Sequence, residues 1–323
     1  MVRLRRSDLN KPGLSRRRSG RGFSYRGADG NRITDAATVE RIRGLVIPPA
    51  WRDVWISPDP RGHIQATGVD VAGRKQYLYH PDWRAERDSS KFERVREVAG
   101  RLPRVRRRLR ADLAGRGLTE RRVLAAVVSL LDEGMFRIGS DEYAARDEDP
   151  SFGLSTLRAS HVRLRRGCAV LTFPGKSGVE HHGTIEDPEV CAVLAALKRR
   201  RRDRLFAFWD PSSKTWRDVS AGMINDYLEE ISGERMTAKD FRTWHGTVKA
   251  AKELADAGPR PTPAQRKKVV AQAMKEVAGL LGNTPAVARS SYVDPRVIDR
   301  YEDGETVEQP TERAVRDLLA EPS

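Results

Sequence analysis

The hydrophobic pattern of this chain changes once, near Trp83, and that change most limits the folds open to it. From about residue 23 to residue 80, apolar residues come in short runs bounded by glycine and proline, which is typical of strands and turns. Beyond that point they recur every three or four positions over long stretches, which is typical of amphipathic helices. The chain is therefore expected to be α+β, with a small β-rich domain followed by a larger, mostly helical one.

This prediction rests on the helices and strands expected in individual segments. One helix at 38–46 precedes three expected strands, at 54–57, 63–68 and 76–80. Later helices are expected at 121–133, 190–202, 221–232, 237–257 and 264–281. Between them lies a strand-rich island, with expected strands at 162–165, 168–173 and 179–183. We expect these three to form an antiparallel sheet, with Lys176 at the tip of a hairpin.

The composition divides the chain into four expected parts. Residues 1–22 are rich in arginine, serine and glycine and carry few large apolar side chains, which predicts a basic, flexible tail. The β-rich domain is expected at 23–82 and the helical domain at 83–303. Residues 304–323 are expected to form a C-terminal tail with a short helix from 311 to 319.

The charge of the chain indicates a polyanionic partner. Lysine and arginine number 60 against 45 aspartates and glutamates, for a formal net charge of +15. Each phosphate that such a surface contacts releases condensed counterions, which favours binding. The charge does not say which polyanion is bound, and an arginine-rich protein without such a partner is the alternative.

Other compartments and partners are disfavoured. No apolar run approaches the roughly 20 residues that a membrane helix needs. The basic N-terminus is not followed by the hydrophobic stretch of a secretion signal. Cys168 and Cys191 lie far apart and form no metal-ligand pair, which favours thiols in a reducing compartment. We expect a cytoplasmic protein that does not bind a membrane.

Four motifs place chemically useful side chains in a fixed order along the chain. Three of them carry a cation: Arg137 in MFRIGS, Lys176 in FPGKSG and Arg242 in KDFRTWHG. The fourth ends at Tyr292, with Asn283 nine positions before it. A phenol, with an ordinary pKa of about 10, is a poor nucleophile at neutral pH. It becomes useful where cations hold a phosphate that it attacks in line.

In this order and context the five residues resemble the constellation of the type IB DNA topoisomerases, most closely the compact bacterial and poxvirus-like branch. The resemblance covers about 23–303 and includes the further motifs IPPAW, VWI, YAA and FGLSTLR. Each is weak alone, but their order and spacing together are specific. The family implies a two-lobed clamp around duplex DNA, with a β-rich N-terminal DNA-binding lobe at 23–82 and a mostly helical catalytic lobe at 83–303.

The resemblance also implies a role for each residue. Arg137 and Arg242 would grip the nonbridging phosphate oxygens, since a guanidinium is always charged and binds two oxygens at once. Lys176 would donate a proton to the departing 5′ oxygen. Tyr292 would form a phosphotyrosyl link to the 3′ end. Relatives usually carry histidine at the position of Asn283, whose amide can donate a hydrogen bond but supplies no charge, so some loss of transition-state stabilisation is expected.

Further DNA contacts are expected outside this constellation. Lys239 is a candidate phosphate contact or partner in proton transfer. Gln76, Tyr77 and Tyr79 lie in a segment similar to the family's strand that meets the DNA groove, where a glutamine and aromatic rings touch base edges. On an extended strand Tyr77 and Tyr79 share one face. Half-buried sheet residues are the alternative interpretation.

Two other types of site are disfavoured by the spacing. A phosphate-binding P-loop ending at Lys176 would need a glycine at position 170, which is Val170. His181 and His182 have no carboxylate or cysteine at ligand spacing, so no metal site is expected there. Paired acidic residues of a two-metal nuclease are not found either.

The resemblance implies relaxation of positive and negative supercoils without ATP or any cofactor. We expect a monomer that binds duplex DNA, needs no nucleotide and is associated with the nucleoid. Two alternatives stay open: a strand transferase of the tyrosine-recombinase type, and a noncatalytic DNA-binding protein. A recombinase usually has His-x-x-Arg around its second arginine, whereas here the order is Arg242-Thr243-Trp244-His245.

Overall fold

The computed structural model describes residues 3–165, 168–200 and 202–320. The chain divides into two compact units, Met1–Glu93 and Arg94–Ser323. The division falls inside a long helix, eleven residues beyond the boundary expected at 82, because the helical pattern starts before the contacts of the second unit begin. The expected α+β class is confirmed: the first unit is built on an antiparallel sheet and the second is mostly helical.

The first unit is organised around one five-stranded antiparallel sheet in the order β2-β1-β3-β4-β5. Its elements are β1 (Leu14–Ser19), β2 (Gly22–Arg26), α1 (Ala36–Gly44), β3 (Arg52–Ile56), β4 (Ile64–Val69) and β5 (Lys75–Tyr79). The predicted helix and the three predicted strands of this region are confirmed as α1, β3, β4 and β5. Its core is small and consists of Tyr25, Ile42, Val54, Ile56 and Ala66.

The expected flexible tail at 1–22 is wrong, because it contains strand β1, which pairs with both β2 and β3. Arg16 shows why the composition misleads. Its guanidinium donates to the backbone carbonyls of Ile47, Pro48 and Trp51 and lies 4.1 Å from the ring centroid of Phe23. The arginine therefore packs as part of the fold, with three hydrogen bonds to backbone carbonyls, and does not extend into solvent.

The second unit contains the long helix from Arg94 onwards and all the later elements. In chain order these are α2 (Pro81–Leu113), α3 (Glu120–Gly134), α4 (Asp141–Ala144), β6 (Val162–Arg165), β7 (Cys168–Pro174), β8 (Glu180–Ile185), α5 (Pro188–Arg199), β9 (Ala207–Asp210), β10 (Thr215–Asp218), α6 (Ala221–Ser232), α7 (Ala238–Ala257), α8 (Pro263–Leu281), α9 (Pro285–Ser291), α10 (Pro295–Glu302) and α11 (Glu312–Leu318). The predicted antiparallel sheet is confirmed, in the order β6-β7-β8. The two-stranded β9-β10 hairpin was not predicted.

The core of the second unit reaches the end of the described chain. Helix α3 is its centre, since every residue from Val123 to Asp132 is buried. The short C-terminal helix was predicted and is present as α11. Val315 and Leu319 are buried in the same core cluster, so this segment is part of the unit and not a tail.

Helix signals in the sequence set the positions of α7, α8 and α9. A capping box between Thr237 and Asp240 starts α7, and one between Thr262 and Gln265 starts α8. Gly282 ends α8 in the left-handed region, with φ of +59°. Thr284 then caps α9 through the backbone N–H of Val287. None of the helices within the described ranges combines the length and apolar character that crossing a bilayer requires.

Candidate active site

Arg137 lies in a short connection after α3, where backbone packs directly on backbone. Its carbonyl accepts a hydrogen bond from the N–H of Leu154, 2.9 Å away. Gly139 has φ of +95°, a conformation that favours glycine. A Cβ on Gly153 would come within 2.5 Å of Gly139 Cα and 2.6 Å of the Arg137 carbonyl oxygen. The two glycines therefore allow the approach that fixes the backbone of Arg137.

Replacing Gly153 with alanine is expected to displace Arg137. The added methyl group would meet backbone, which cannot rotate away, so we expect a stability loss of about 1–3 kcal/mol and DNA cleavage slowed on the order of tenfold to a hundredfold. Gly279→Ala is the control, because a Cβ there meets nothing within 4 Å. Urea denaturation and single-turnover cleavage rates check both variants, and unchanged cleavage by Gly153→Ala would contradict the expected displacement.

The guanidinium of Arg137 is held by side chains from two other parts of the unit. Its Nη2 donates to Asn283 Oδ1 at 2.7 Å and lies 3.4 Å from the carbonyl oxygen of Gly282. Its Nη1 lies 3.0 Å from His181 Nε2. Burial lowers the pKa of Arg137, and the nearby Tyr292 acts in the opposite direction. A guanidinium stays charged at neutral pH in such surroundings.

Arg242, on α7, is almost completely buried, with 3 % of its surface exposed. Its Nη1 donates to the carbonyl of Met135 and its Nη2 to that of Leu281, the latter at 2.6 Å. Its Nε is buried and has no hydrogen-bond partner among the described residues. Burial and the charge of Arg137 lower the pKa of Arg242 to about 10. Arg242 therefore remains a cation at neutral pH and links the end of α3 to the end of α8.

Tyr292 follows α9 directly and is half-buried beside Arg242. The Cζ of Arg242 lies 5.2 Å from the centroid of the Tyr292 ring. The Tyr292 carbonyl faces α7, where Thr247 Oγ1 lies 3.4 Å away. A Cβ on Gly246 would come within 2.8 Å of that carbonyl oxygen. The absence of a side chain at Gly246 thus lets the tyrosine segment lie close against α7.

Asn283 joins the site through the turn between α8 and α9. Its backbone N–H donates to the carbonyl of Ala278 at 2.9 Å. Because its Oδ1 accepts from Arg137, its Nδ2 is left as a donor, and this atom is buried without a partner in the described part of the chain. Two buried donors, Asn283 Nδ2 and Arg242 Nε, therefore lack an acceptor in this one site.

The structure thus joins four of the five predicted residues, namely Arg137, Arg242, Asn283 and Tyr292, through direct contacts or contacts with one another's neighbours. Lys176 is exposed, on a single turn of 3-10 helix between β7 and β8, as the hairpin prediction required. Lys239 is exposed on α7, one turn before Arg242.

The predicted DNA-contact strand of the first unit is β5. Tyr77 and Tyr79 lie on one face with ring centroids 6.1 Å apart, and they are 39 % and 40 % exposed. The Nζ of Lys75 lies 5.9 Å from the Tyr77 ring centroid. Gln76 is half-buried, and its Nε2 donates to Asp70 Oδ2 at 2.9 Å. The two rings are therefore open to a ligand, whereas the glutamine is tied to a neighbouring carboxylate.

Two groups of residues in the second unit were not predicted. His181, considered in the sequence only as a metal ligand, contacts Arg137. His245 Nε2 lies 2.7 Å from Asp132 Oδ1, and the same carboxylate accepts from Arg106 at 2.6 Å. Burial alone would raise the pKa of Asp132, but hydrogen bonds from His245 and Arg106 lower it to about 2. This network ties α7 to α2 and α3 and so supports the helix that carries Arg242.

Comparison with known proteins matches almost the whole chain. The family model "Eukaryotic DNA topoisomerase I, catalytic core" matches residues 80–317, and "Bacterial DNA topoisomerase IB, N-terminal domain" matches 22–70. The chain is 32% identical to DNA topoisomerase 1B of Acanthamoeba polyphaga mimivirus, over 90% of this chain and 88% of that protein.

More distant relatives are also DNA topoisomerases. DNA topoisomerase 1B of Vaccinia virus (strain Copenhagen) is 23% identical, over 73% of this chain and 72% of the viral protein. DNA topoisomerase 1 of Schizosaccharomyces pombe is 26% identical, over 65% of this chain and 25% of that protein. The match to the catalytic core model, residues 80–317, extends across the motifs that contain Arg137, Arg242 and Tyr292. The chain belongs to the type IB DNA topoisomerase family.

Proposed function

We propose that this topoisomerase relaxes positively and negatively supercoiled duplex DNA by breaking and rejoining one strand through Tyr292, without ATP. The observation that carries the proposal is the pair of buried donors without acceptors, Arg242 Nε and Asn283 Nδ2, in the site that holds Tyr292. A buried donor left unsatisfied costs about 1–3 kcal/mol. A phosphate group offers acceptor oxygens for both, and charge-assisted hydrogen bonds of this kind are strong.

The chemistry follows from the side chains in the site. Tyr292 Oη attacks the phosphorus, the bond from phosphorus to the 5′ oxygen breaks, and the tyrosine becomes linked to the 3′ phosphate. Arg137, Arg242 and Asn283 stabilise the charge that grows on the nonbridging oxygens. Lys176 gives its proton to the departing 5′ oxygen, which requires its exposed turn to close on the bound DNA.

The phosphotyrosyl ester keeps the energy of the original phosphodiester, so the 5′ hydroxyl can attack it in return without a nucleotide. Between the two steps the duplex is held on one side only, and torsion rotates the other side. In this scheme side chains supply every charge that the displacement needs. The enzyme is therefore expected to act without a cofactor.

The first unit supplies DNA contacts in this proposal. Tyr77 and Tyr79 present two stacked rings beside Lys75, a combination suited to a groove lined by phosphates. Because the chain has a net charge of +15, its binding to DNA is expected to weaken steeply as the salt concentration rises. We place the enzyme on the DNA of a bacterial nucleoid, acting as a monomer, since one chain carries all five residues of the site.

Relaxation of a supercoiled plasmid in EDTA without ATP tests the proposal. We expect complete relaxation of both negatively and positively supercoiled plasmid, together with a protein–DNA adduct that retains label on the strand segment 5′ of the break, which ends in the 3′ phosphate. Binding without relaxation would support a noncatalytic DNA-binding protein. Cleavage confined to one specific site, with exchange between two duplexes, would support a recombinase instead.

A further inference from the structure

His181 lies on β8 in a gap that glycine leaves open on two sides. A Cβ on Gly282 would come within 2.6 Å of its Cε1, and a Cβ on Gly175 within 2.5 Å of its Nε2. The imidazole stacks on Phe173, with ring centroids 5.6 Å apart and planes 29° apart. Gly282 ends α8 and Gly175 precedes the turn of Lys176, so the ring sits where the hairpin meets the site.

The contact with Arg137 determines the protonation of this histidine. A guanidinium has donors and no acceptor, so His181 Nε2, 3.0 Å from Arg137 Nη1, must accept. The proton of the neutral ring is therefore on Nδ1. Burial, followed by the charges of Arg137, Arg242 and His182, lowers the pKa of His181 to about 4. At neutral pH the ring is uncharged and is a poor general acid.

Two acceptors on different elements orient the guanidinium of Arg137. Asn283 Oδ1 accepts from Nη2 and His181 Nε2 from Nη1, so two side chains together fix the plane of the guanidinium. They come from different elements, one from the turn after α8 and the other from β8. Without His181, the contacts left are those of Nη2 with Asn283 and with the Gly282 carbonyl, so the guanidinium could turn about that nitrogen.

We propose that His181 is a positioning residue, whose neutral Nε2 fixes the guanidinium of Arg137 for the phosphate and holds the β7–β8 hairpin against it. Lys176 precedes His181 by five positions on the same hairpin. One contact therefore sets both the cation that binds the phosphate and the base of the turn that carries the proton donor. This inference rests on the proposed function, because it assumes that Arg137 binds the scissile phosphate.

The test compares two variants of nearly equal size, His181→Gln and His181→Met. Glutamine offers an acceptor oxygen at about the reach of Nε2, and methionine offers no comparable acceptor. His182→Met is the matched control, because His182 is exposed on the same strand and pairs with Glu180 at 2.9 Å. Single-turnover cleavage at saturating enzyme is measured together with DNA affinity and thermal unfolding.

We expect His181→Met to cleave about 100-fold more slowly than the wild type, with DNA affinity little changed. His181→Gln should stay within a few-fold of the wild type, and His182→Met should equal it. If glutamine and methionine at 181 slow cleavage equally, the acceptor has no role and the proposal is overturned.

A double-variant cycle separates positioning from general packing. In an Arg137→Ala background, adding His181→Met should slow cleavage little further, because the group that it positions is already gone. An undiminished further loss there would place the action of His181 elsewhere and overturn the proposal. The wild type and His182→Met report separately on the proposed function: if neither forms a covalent adduct, that function fails, whatever the variants at 181 do.

Discussion

Tyr292→Phe is expected to abolish covalent cleavage and plasmid relaxation while leaving DNA binding close to that of the wild type. The change removes one oxygen and keeps the ring that lies 5.2 Å from Arg242 Cζ. The backbone contacts of Tyr292 with Ala288 and Thr247 do not involve the phenol. The fold and the charged groups around the site should therefore persist without a nucleophile.

A matched tyrosine supplies the control. Tyr301 is 1 % exposed, and its hydroxyl donates to the carbonyl of Gly258 at 2.9 Å. Tyr301→Phe should cost about 1 kcal/mol of stability through that hydrogen bond and leave relaxation intact. Denaturing gels of labelled DNA detect the adduct, and filter binding gives the affinity. Adduct formation by Tyr292→Phe would show that another residue attacks the phosphate.

The parts of the fold that local sequence encodes were predictable. Helices α6 and α7 have clear capping residues, Ser220 and Thr237, and regular apolar spacing, so their expected bounds agree with the structure to within a residue. The β6-β7-β8 sheet followed from short apolar runs separated by turn residues, and it brought Lys176 to a hairpin tip. In both cases neighbouring residues contain all the information that the prediction used.

Long-range contacts were not predictable in the same way. The arginine-rich start of the chain has the composition of a solvated tail, but Arg16 bonds three carbonyls that lie more than 30 positions away. The same is true of His181, because its proposed role depends on contacts with Gly282 and Arg137, which only the tertiary fold brings to it. Composition and spacing describe what a side chain can do, whereas its partners come from the fold.

In the candidate site, too, the sequence predicted the chemistry of a side chain but not its tertiary contacts. The motifs predicted that Arg242 is a phosphate-binding cation but gave no sign that it is buried. In the structure two of its nitrogens bond the carbonyls of Met135 and Leu281, so it also holds the ends of α3 and α8 together. Substitution of a residue with both tasks should lower the free energy of unfolding as well as the cleavage rate. The two effects must therefore be measured separately.

Arg242→Lys is expected to lower stability and to slow cleavage far more than that loss explains. A lysine lacks the two separate Nη groups that bond the two carbonyls, so we expect one buried acceptor to lose its partner at a cost of about 1–3 kcal/mol. It also lacks the planar set of donors that fits a phosphate. Loss of such preorganised donors at a developing charge costs on the order of 10²–10³ in rate. Urea denaturation and single-turnover cleavage at saturating enzyme give the two quantities.

Arg204→Lys is the control that shows how far a loss of stability alone slows cleavage. Arg204 is less buried than Arg242, with 29 % of its side chain exposed, and it pairs with Asp141 at 2.9 Å, but it likewise bonds two backbone carbonyls, those of Ser155 at 2.9 Å and Val219 at 3.3 Å. It should lose a similar amount of stability and still cleave DNA at the rate of the wild type. If both variants slowed cleavage equally, weakened packing would be the common cause, and Arg242 would have no special part in binding the phosphate. If the two variants lose similar stability and only Arg242→Lys loses most of its cleavage rate, the guanidinium of Arg242 must act on the reacting group, because weakened packing would then slow both variants.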